Sequence, residues 1–352
     1  MEFLTEYGLF IAKTLTVLIA LAIAVAIIAS AASKNKHGDD DVIDIEKLND
    51  RYDDYRKFMT ESLVDGDELK KLKKAEKKLK KDEKKQLKKQ GNKETESEEV
   101  TKKRVFVTDF DGDIKASHAE QLRKVVTAIL TVATKDDEVV IKLESPGGMV
   151  HSYGLAASQL ARITQRDIPL TVCVDKVAAS GGYMMACVAD KILCAPFAII
   201  GSIGVVAQLP NFHRLLKKTN VDYEIFTAGE HKRTLTMFGE NTDKGREKFV
   251  EDLEDTHELF KDYVSDHRPV VDITDVATGE IWFGTRALDK KLVDEVQTSD
   301  EYLVSLSETA DIFSLSITPK KNVLEKLGVA VSSGIETSLT RLYQQLSQRF
   351  YS

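Results

Sequence analysis

The chain has 352 residues, enough for more than one average domain, and 42% of them are hydrophobic. Its formal net charge of −7 argues against nucleic-acid binding by the chain as a whole, because such proteins are usually basic. The charge is unevenly distributed, since the first third contains both an apolar run and a lysine run. Composition therefore indicates an ordinary folded body with an additional N-terminal segment.

The apolar run extends over twenty uncharged residues from Thr14 to Ser33. At ~1.5 Å per residue, a helix of this length spans ~30 Å, the thickness of one bilayer core. We therefore predict a transmembrane anchor over residues 1–33.

A cleaved signal peptide is the competing interpretation of this run, because Ala29-Ser30-Ala31 resembles a cleavage site. Glu2 and Glu6 take the place of the basic cluster that a signal peptide carries, and the run is longer than usual. An uncleaved anchor is favoured. Lys34 and Lys36 favour a cytoplasmic body by the positive-inside rule, but Lys13 precedes the span, so the side of the membrane stays open.

A charged stalk or linker is predicted over residues 34–103. Its centre, residues 70–89, is a lysine run with leucines at helical spacing. Such a run suits either a solvated helix or spacer, or docking on anionic lipid headgroups beside the anchor. Both interpretations stay open.

From residue 104 onward, short apolar runs alternate with amphipathic segments. The run Glu138–Leu143 is nearly continuous in apolar residues, as expected for a strand that is covered on both faces. The alternation predicts an α/β domain. Strands are predicted at 104–109, 138–143, 170–175, 191–195, 199–207 and 223–227, and helices at 118–134, 152–165, 182–189, 211–220 and 243–267.

The three cysteines, Cys173, Cys187 and Cys194, lie within apolar sequence and show no metal-ligand or disulfide spacing. We predict that they are buried as small hydrophobic residues. The sequence predicts no metal site and no cofactor.

Two glycine-rich turns each follow an apolar strand. The first is Ser145-Pro146-Gly147-Gly148, and the second is Ala178-Ala179-Ser180-Gly181-Gly182. Glycine pairs permit sharp turns that present bare N–H groups, and a serine at a strand-to-helix turn exposes its hydroxyl. Ser180 is therefore a candidate nucleophile beside an oxyanion hole, although ordinary tight turns remain an alternative.

A serine nucleophile needs a base. Among the histidines, His151 directly after the first glycine turn is the best candidate. A lysine can serve instead if burial lowers its pKa. Lys232 follows the predicted strand 223–227 and would emerge at the same edge of the sheet, although it could equally be an ordinary solvent-exposed lysine.

Five blocks, over about residues 104–318, resemble the bacterial signal peptide peptidase A family, and in particular its SohB branch of inner-membrane peptidases. The blocks are ESPGGMV at 144–150, DKVAASGGYMMA at 175–186, IIGSIGVV at 199–206, FTAGEHKRTLTMF at 226–238 and GEIWFGTRALDKKLVDEV at 279–296.

The resemblance implies a Clp-protease/crotonase-like fold of repeated β-β-α units and a Ser–Lys dyad. Ser180 matches the nucleophile and Lys232 the general base. Gly148 and Gly181 match the oxyanion-hole positions, and Ser202 matches a hydroxyl that orients the lysine.

The resemblance also implies a biological setting. Members of the family are serine endopeptidases of the bacterial inner membrane that cleave residual signal peptides and membrane-derived fragments. They assemble into homo-oligomeric rings in which serine and lysine come from adjacent domains. The peptidase domain would then be 104–318, with a helical extension at 319–352 that suits assembly or membrane contact equally well.

The chain departs from its relatives at three places, of which the first two leave the dyad intact but put specificity in doubt. Relatives commonly have tyrosine where His231 stands, Glu-Pro-Phe where Leu235–Phe238 follow the lysine, and glycine where Lys291 stands. Two rival functions remain: a non-catalytic membrane scaffold with the same fold, and a crotonase-type acyl-CoA enzyme, which also builds its oxyanion hole from glycine turns.

Overall fold

The computed structural model describes residues 6–10, 13–17, 41–64, 68, 69, 74, 78 and 102–319. Two compact units are distinguished, one comprising 1–44 with 317–352 and the other 45–316. Residues 6–10 and 13–17 are helical. Most of the predicted anchor and of the lysine run, and all of the predicted C-terminal extension beyond residue 319, lie outside the described residues. Among those described, no helix combines the length and apolar character needed to cross a bilayer.

The second unit is an α/β domain, and the described strands form a seven-stranded sheet and a three-stranded sheet. The strand order is β1-β10-β2-β3-β4-β6-β9 in the first sheet and β5-β7-β8 in the second. The strands are β1 Asp41–Lys47, β2 Lys103–Asp111, β3 Glu138–Glu144, β4 Leu170–Val174, β5 Val177–Ala179, β6 Lys191–Cys194, β7 Ile199–Gly201, β8 Ile281–Phe283, β9 Glu295–Val296 and β10 Ala310–Pro319.

Parallel pairing runs through the large sheet from β10 to β9, whereas the small sheet is mixed. There β5 pairs with β7 in parallel and β7 pairs with β8 antiparallel. Val139, Val140 and Ile141 of β3 are fully buried, which confirms the strand that the continuous apolar run predicts. The predicted α/β class is therefore confirmed.

The described helices of this unit are α1 Leu48–Leu63, α2 Ala119–Ile129, α3 Val150–Thr164, α4 Gly181–Ala186, α5 His213–Lys218, α6 Asp243–His267, α7 Ile273–Val276, α8 Gly284–Asp289 and α9 Ser299–Ser307. Helix α2 buries Leu122, Val125, Val126 and Ile129, one face at 3.6-residue spacing. Helix α6 has the bounds predicted from the sequence and begins where the Thr242 side chain accepts a hydrogen bond from the Gly245 N–H.

Two predicted strands differ from the structure. Residues 223–227 form no strand, because every residue from 221 to 230 is exposed and none pairs with a neighbouring strand. The strand predicted over 199–207 ends at Gly201, because the next residue, Ser202, has a φ of +53° that an extended strand cannot contain. Two apolar side chains of the segments predicted as strands face solvent instead, Val206 being 81% and Phe226 89% exposed.

Part of the predicted stalk contributes to the folded unit. Leu48 at the start of α1 is buried in a core cluster with Val105 and Ile312. The Asn49 side chain accepts the Ile312 N–H at 2.7 Å and donates to the Ala310 carbonyl at 2.9 Å, which joins α1 to β10. The charged residues that alternate through this part of the stalk gave no sequence signal for this short buried face.

All three cysteines are buried and free, which confirms their predicted role as small core residues. Burial raises the pKa of the Cys173 and Cys187 thiols to about 12 and that of Cys194 to about 11. These thiols therefore stay protonated and unreactive at neutral pH.

A buried carboxylate begins strand β3. Glu138 accepts hydrogen bonds from Lys103 at 2.7 Å, Thr171 at 2.7 Å and Tyr302 at 2.6 Å. Burial acts to raise the pKa of Glu138, but the three hydrogen bonds outweigh it and the pKa is lowered. The charged carboxylate therefore ties β2, β4 and α9 to the start of β3.

Replacing Glu138 with glutamine is expected to lower the free energy of unfolding by about 2 kcal/mol at pH 7, because charge-assisted hydrogen bonds are lost. Since the folded-state pKa is lowered, this stabilisation is complete above the unfolded pKa of about 4.3 and disappears as pH falls through the folded value. Urea unfolding at pH 7 and pH 3.5 measures both effects.

The control is Glu144→Gln at the other end of the same strand, where an exposed pair with Lys176 is worth under about 1 kcal/mol. Equal losses for the two glutamine variants at pH 7 would contradict the assignment.

Lys291, one of the three departures from the family pattern, has a φ of +59°. It follows the C-cap of α8, where the Leu292 N–H bonds to the Ala287 carbonyl and the Lys291 N–H bonds to the Leu288 carbonyl. This pair of bonds is the Schellman arrangement, whose left-handed position favours glycine. The backbone thus explains why relatives have glycine here.

Replacing Lys291 with glycine is expected to raise the free energy of unfolding by about 1 kcal/mol, because the left-handed conformation strains a residue with a Cβ. Thermal unfolding should show a rise in Tm of about 2–4 °C. Lys290→Gly is the matched control, because Lys290 has an ordinary φ of −83° and glycine there is expected to destabilise. A loss of stability in both variants would contradict the argument.

Candidate active site

The candidate nucleophile Ser180 lies between β5 and α4 in a strained conformation. Its φ of +51° and ψ of −120° belong to a region that residues with a Cβ rarely adopt. The Ser180 N–H donates to the Gly201 carbonyl at 2.8 Å, and its carbonyl accepts the Met184 N–H at 3.0 Å. These two bonds maintain the strained backbone conformation, which costs ~1–3 kcal/mol. A strained serine at a strand-to-helix turn is typical of activated nucleophiles.

The first glycine turn packs directly against the serine turn. Gly147 has a φ of +88°, and a Cβ there would lie 2.8 Å from the Ser180 Cβ and 2.7 Å from the Gly181 nitrogen. A Cβ on Gly148 would lie 2.2 Å from the Ile114 carbonyl oxygen. Side chains are therefore excluded from both positions, and the backbone of this turn comes close to the serine.

Two backbone donors near Ser180 have no acceptor among the residues that the structure describes. Within residues 102–319, no hydrogen bond uses the N–H of Gly148 or the N–H of Gly181. Gly181 begins α4, and the first N–H groups of a helix have no partner within it. These are the two N–H groups predicted for the oxyanion hole, and both remain available to a ligand.

Ser202 is brought beside the serine turn by strand register. Gly201 pairs with Ala179 in the parallel β5–β7 ladder, so Ser202 and Ser180 are the next residues along the two strands. Paired strands lie about 4.8 Å apart. The half-buried Ser202 is held by its N–H, which donates to the Glu280 carbonyl at 2.6 Å.

Lys232 lies outside the strands and glycine turns that form this cluster. It is exposed in an irregular loop, and its backbone N–H donates to the Gly229 carbonyl at 3.2 Å. No hydrogen bond or ion pair among the described residues joins its side chain to Ser180. Lys232 was expected to follow a strand to the edge of the sheet. The predicted strand was wrong, because residues 223–227 do not form one. His151, the alternative base, is exposed on α3.

Sequence reasoning missed the group of residues that lies behind the two turns. Tyr153 and Ser145 are fully buried and bonded to one another. A buried tyrosine on a helix looks like any other core aromatic in the sequence, so only its contacts separate it from its neighbours. Gly147 was included in the glycine turn, but its close contact with Ser180 was not predicted.

Comparison with known proteins identifies the family. The profile of peptidase family S49 N-terminal matches residues 2–160, and the profile of peptidase family S49 matches residues 162–312. The chain belongs to peptidase family S49, a family of serine peptidases.

Several of the similar proteins are named SohB. "Probable protease SohB" of Haemophilus influenzae is 50% identical over 329 residues, which cover 93% of this chain and 92% of the relative. "Probable protease SohB" of Buchnera aphidicola subsp. Schizaphis graminum is 46% identical over 344 residues, covering 97% and 98% of the two chains. The resemblance predicted from the five sequence blocks is confirmed, and a peptidase function is supported.

One solved structure, a membrane-bound stomatin-specific protease in complex with a substrate peptide, gives a TM-score of 0.41 at 15% identity. The match covers 66% of this chain and 100% of that chain. A likeness of this degree carries no weight for the fold or function of the present chain.

Proposed function

We propose that the chain is a membrane-bound serine endopeptidase that uses a Ser–Lys dyad. Ser180 is the nucleophile, Lys232 the general base, and the N–H groups of Gly148 and Gly181 form the oxyanion hole. The observation that carries this proposal is the strained Ser180 turn beside two backbone N–H groups that no described residue accepts. Strain of this kind persists where it serves a site, and free donors suit a developing oxyanion.

In the proposed reaction, neutral Lys232 takes the Ser180 proton while the oxygen attacks the scissile carbonyl carbon. The carbonyl oxygen gains negative charge and is held by the two N–H groups. Protonated Lys232 then gives its proton to the leaving amine as the C–N bond breaks. Water, deprotonated by the same lysine, releases the acyl group from Ser180. Ser202 orients the lysine amine, and neither metal nor cofactor takes part.

The base is supplied by a neighbouring copy of the chain in a homo-oligomeric ring. The exposed position of Lys232 supports this assignment, because its side chain is available for contact with another copy of the chain. Two exposed apolar side chains, Val206 and Phe226, also suit contact between copies.

The proposal also covers the detailed fold, the membrane location and the substrates. The parallel strands suit a Clp-protease/crotonase-like fold of repeated β-β-α units. The N-terminal apolar run serves as a single-pass anchor in the bacterial inner membrane, and the substrates are residual signal peptides or other membrane-derived peptides. No nucleic acid is involved.

A fluorophosphonate probe tests the dyad against both rival functions. Full-length protein in detergent is expected to be labelled, whereas Ser180→Ala and Lys232→Ala, each confirmed as folded oligomers, are not. A scaffold would leave the wild type unlabelled, and a crotonase-type enzyme would bind coenzyme A without acylation of Ser180. An unlabelled wild-type oligomer would contradict the proposal.

A further inference from the structure

A buried phenol lies behind the two glycine turns. Tyr153 of α3 is 0% exposed, and its hydroxyl donates to the Asp113 carbonyl at 2.8 Å. The same hydroxyl lies 2.6 Å from Ser145 Oγ, which also accepts the Gly147 N–H at 3.1 Å. Because the phenol has one proton and gives it to Asp113, the Ser145 hydroxyl donates to the phenol oxygen.

These contacts form one directed chain of hydrogen bonds. It runs from the Gly147 N–H to the Ser145 hydroxyl, then to the Tyr153 hydroxyl and finally to the Asp113 carbonyl. Burial raises the pKa of Tyr153, so the phenol keeps its proton at the pH values where the enzyme would work. The chain of hydrogen bonds therefore fixes the Pro146–Gly147 peptide, which directly precedes the peptide that carries the Gly148 N–H.

The ring of the same tyrosine supports the second turn. A Cβ on Gly181 would lie 2.4 Å from Tyr153 Cγ, and a Cβ on Gly112 would lie 2.5 Å from the Tyr153 hydroxyl oxygen. The ring is thus packed flush against the Gly181 backbone. One side chain contacts the turn of Gly181 through its ring and the turn of Gly148 through its hydroxyl.

We infer that Tyr153 is a positioning residue that holds the N–H groups of Gly148 and Gly181 at the spacing an oxyanion requires. The inference rests on the proposed peptidase function. Tyr153 touches no substrate, and it acts through the two turns that it joins. Donors must meet the oxyanion at 2.7–3.1 Å, so a small displacement of either turn weakens the transition state more than the bound substrate.

Tyr153→Phe tests the inference, because it removes the hydroxyl and keeps the ring on Gly181. With full-length protein in detergent and a fluorogenic peptide, kcat is expected to fall by ~10–100-fold with little change in KM, the usual effect of losing a supporting hydrogen bond. The affinity for a peptide boronate, which forms a tetrahedral adduct with the serine, is expected to fall by the same factor as kcat/KM.

Tyr302→Phe is the matched control. Tyr302 also donates a hydrogen bond from a partly buried phenol, to Glu138 at 2.6 Å, but it does so at the opposite end of β3. That end is ~20 Å from Ser145. The control is expected to lose thermal stability and to keep wild-type kcat and boronate affinity, which a merely structural tyrosine at 153 would also do.

A second variant covers the case in which Tyr153→Phe does not fold. Ser145→Ala removes the acceptor of the Gly147 N–H and is expected to reduce kcat and boronate affinity in the same way. Wild-type kcat and boronate affinity in the folded variants would overturn the inference and leave the proposed function untouched. A wild-type protein without hydrolysis or fluorophosphonate labelling would overturn both.

Discussion

Replacing Ser180 with alanine is expected to lower kcat/KM for peptide hydrolysis by roughly 10⁵-fold or more, the scale observed when a serine nucleophile is removed from a protease. Alanine lacks the attacking oxygen, and the remaining N–H groups can bind substrate but form no acyl-enzyme. Ser158→Ala, on the surface of α3, is the matched control and should keep full activity. Substantial hydrolysis by Ser180→Ala would contradict the assigned nucleophile.

The strained conformation of Ser180 also predicts how substitutions at this position change stability. Alanine keeps the Cβ and therefore the strain, so Ser180→Ala is expected to unfold at nearly the wild-type temperature. Glycine tolerates a φ of +51°, so Ser180→Gly is expected to be inactive but more stable by about 1 kcal/mol. Thermal unfolding distinguishes the two variants, and a less stable glycine variant would contradict the strain argument.

Replacing Lys232 with alanine is expected to lower kcat/KM by roughly 10⁴-fold or more, because Ser180 then has no base. Because Lys232 is exposed within one chain, the loss should arise without a loss of monomer stability. Lys217→Ala, which replaces an exposed lysine of helix α5, is the control and is expected to keep wild-type activity.

Co-expression of the two inactive variants tests whether the dyad crosses a subunit boundary. In a ring, each site would combine Ser180 of one copy with Lys232 of the next. In a random one-to-one mixture, a site has an intact Ser180 with probability one half and an intact Lys232 with probability one half, so about a quarter of the sites have both. Ser180→Ala mixed with Lys232→Ala is therefore expected to regain about a quarter of wild-type activity. Mixed oligomers that remain inactive would contradict the shared dyad.

Much of the fold could be predicted where burial dominates the sequence pattern. Glu138–Leu143 and Leu170–Asp175 are apolar on both faces, and both are central strands, β3 and β4. Helix α6 begins at the Thr242 N-cap, and its predicted bounds of 243–267 agree with the structure. The segment 223–227 also has alternating apolar residues, but alternation indicates a strand only where a partner strand is available, and none pairs with it here.

The sequence also predicts only part of the candidate site. The two turns that carry Ser180, Gly148 and Gly181 were predictable from glycine spacing and strand ends. The oxyanion-hole role of the two glycines came from the family resemblance and stays a prediction. Tyr153 was not predictable, because its role depends on contacts with Asp113, 40 residues away in sequence. In the proposed ring, Ser180 and Lys232 of different copies would form each dyad, and neither strand order nor loop composition within one chain determines such an arrangement.

The distance between Lys232 Nζ and Ser180 Oγ in an experimentally determined structure of the assembled protein is the most direct test of the proposed chemistry. We predict ~2.6–3.2 Å between a lysine of one copy and the serine of its neighbour, the range that direct proton transfer requires. The lysine should be shielded from water in that arrangement. An assembly in which every Lys232 amine remains in solvent, far from the Ser180 hydroxyl of every copy, would contradict it.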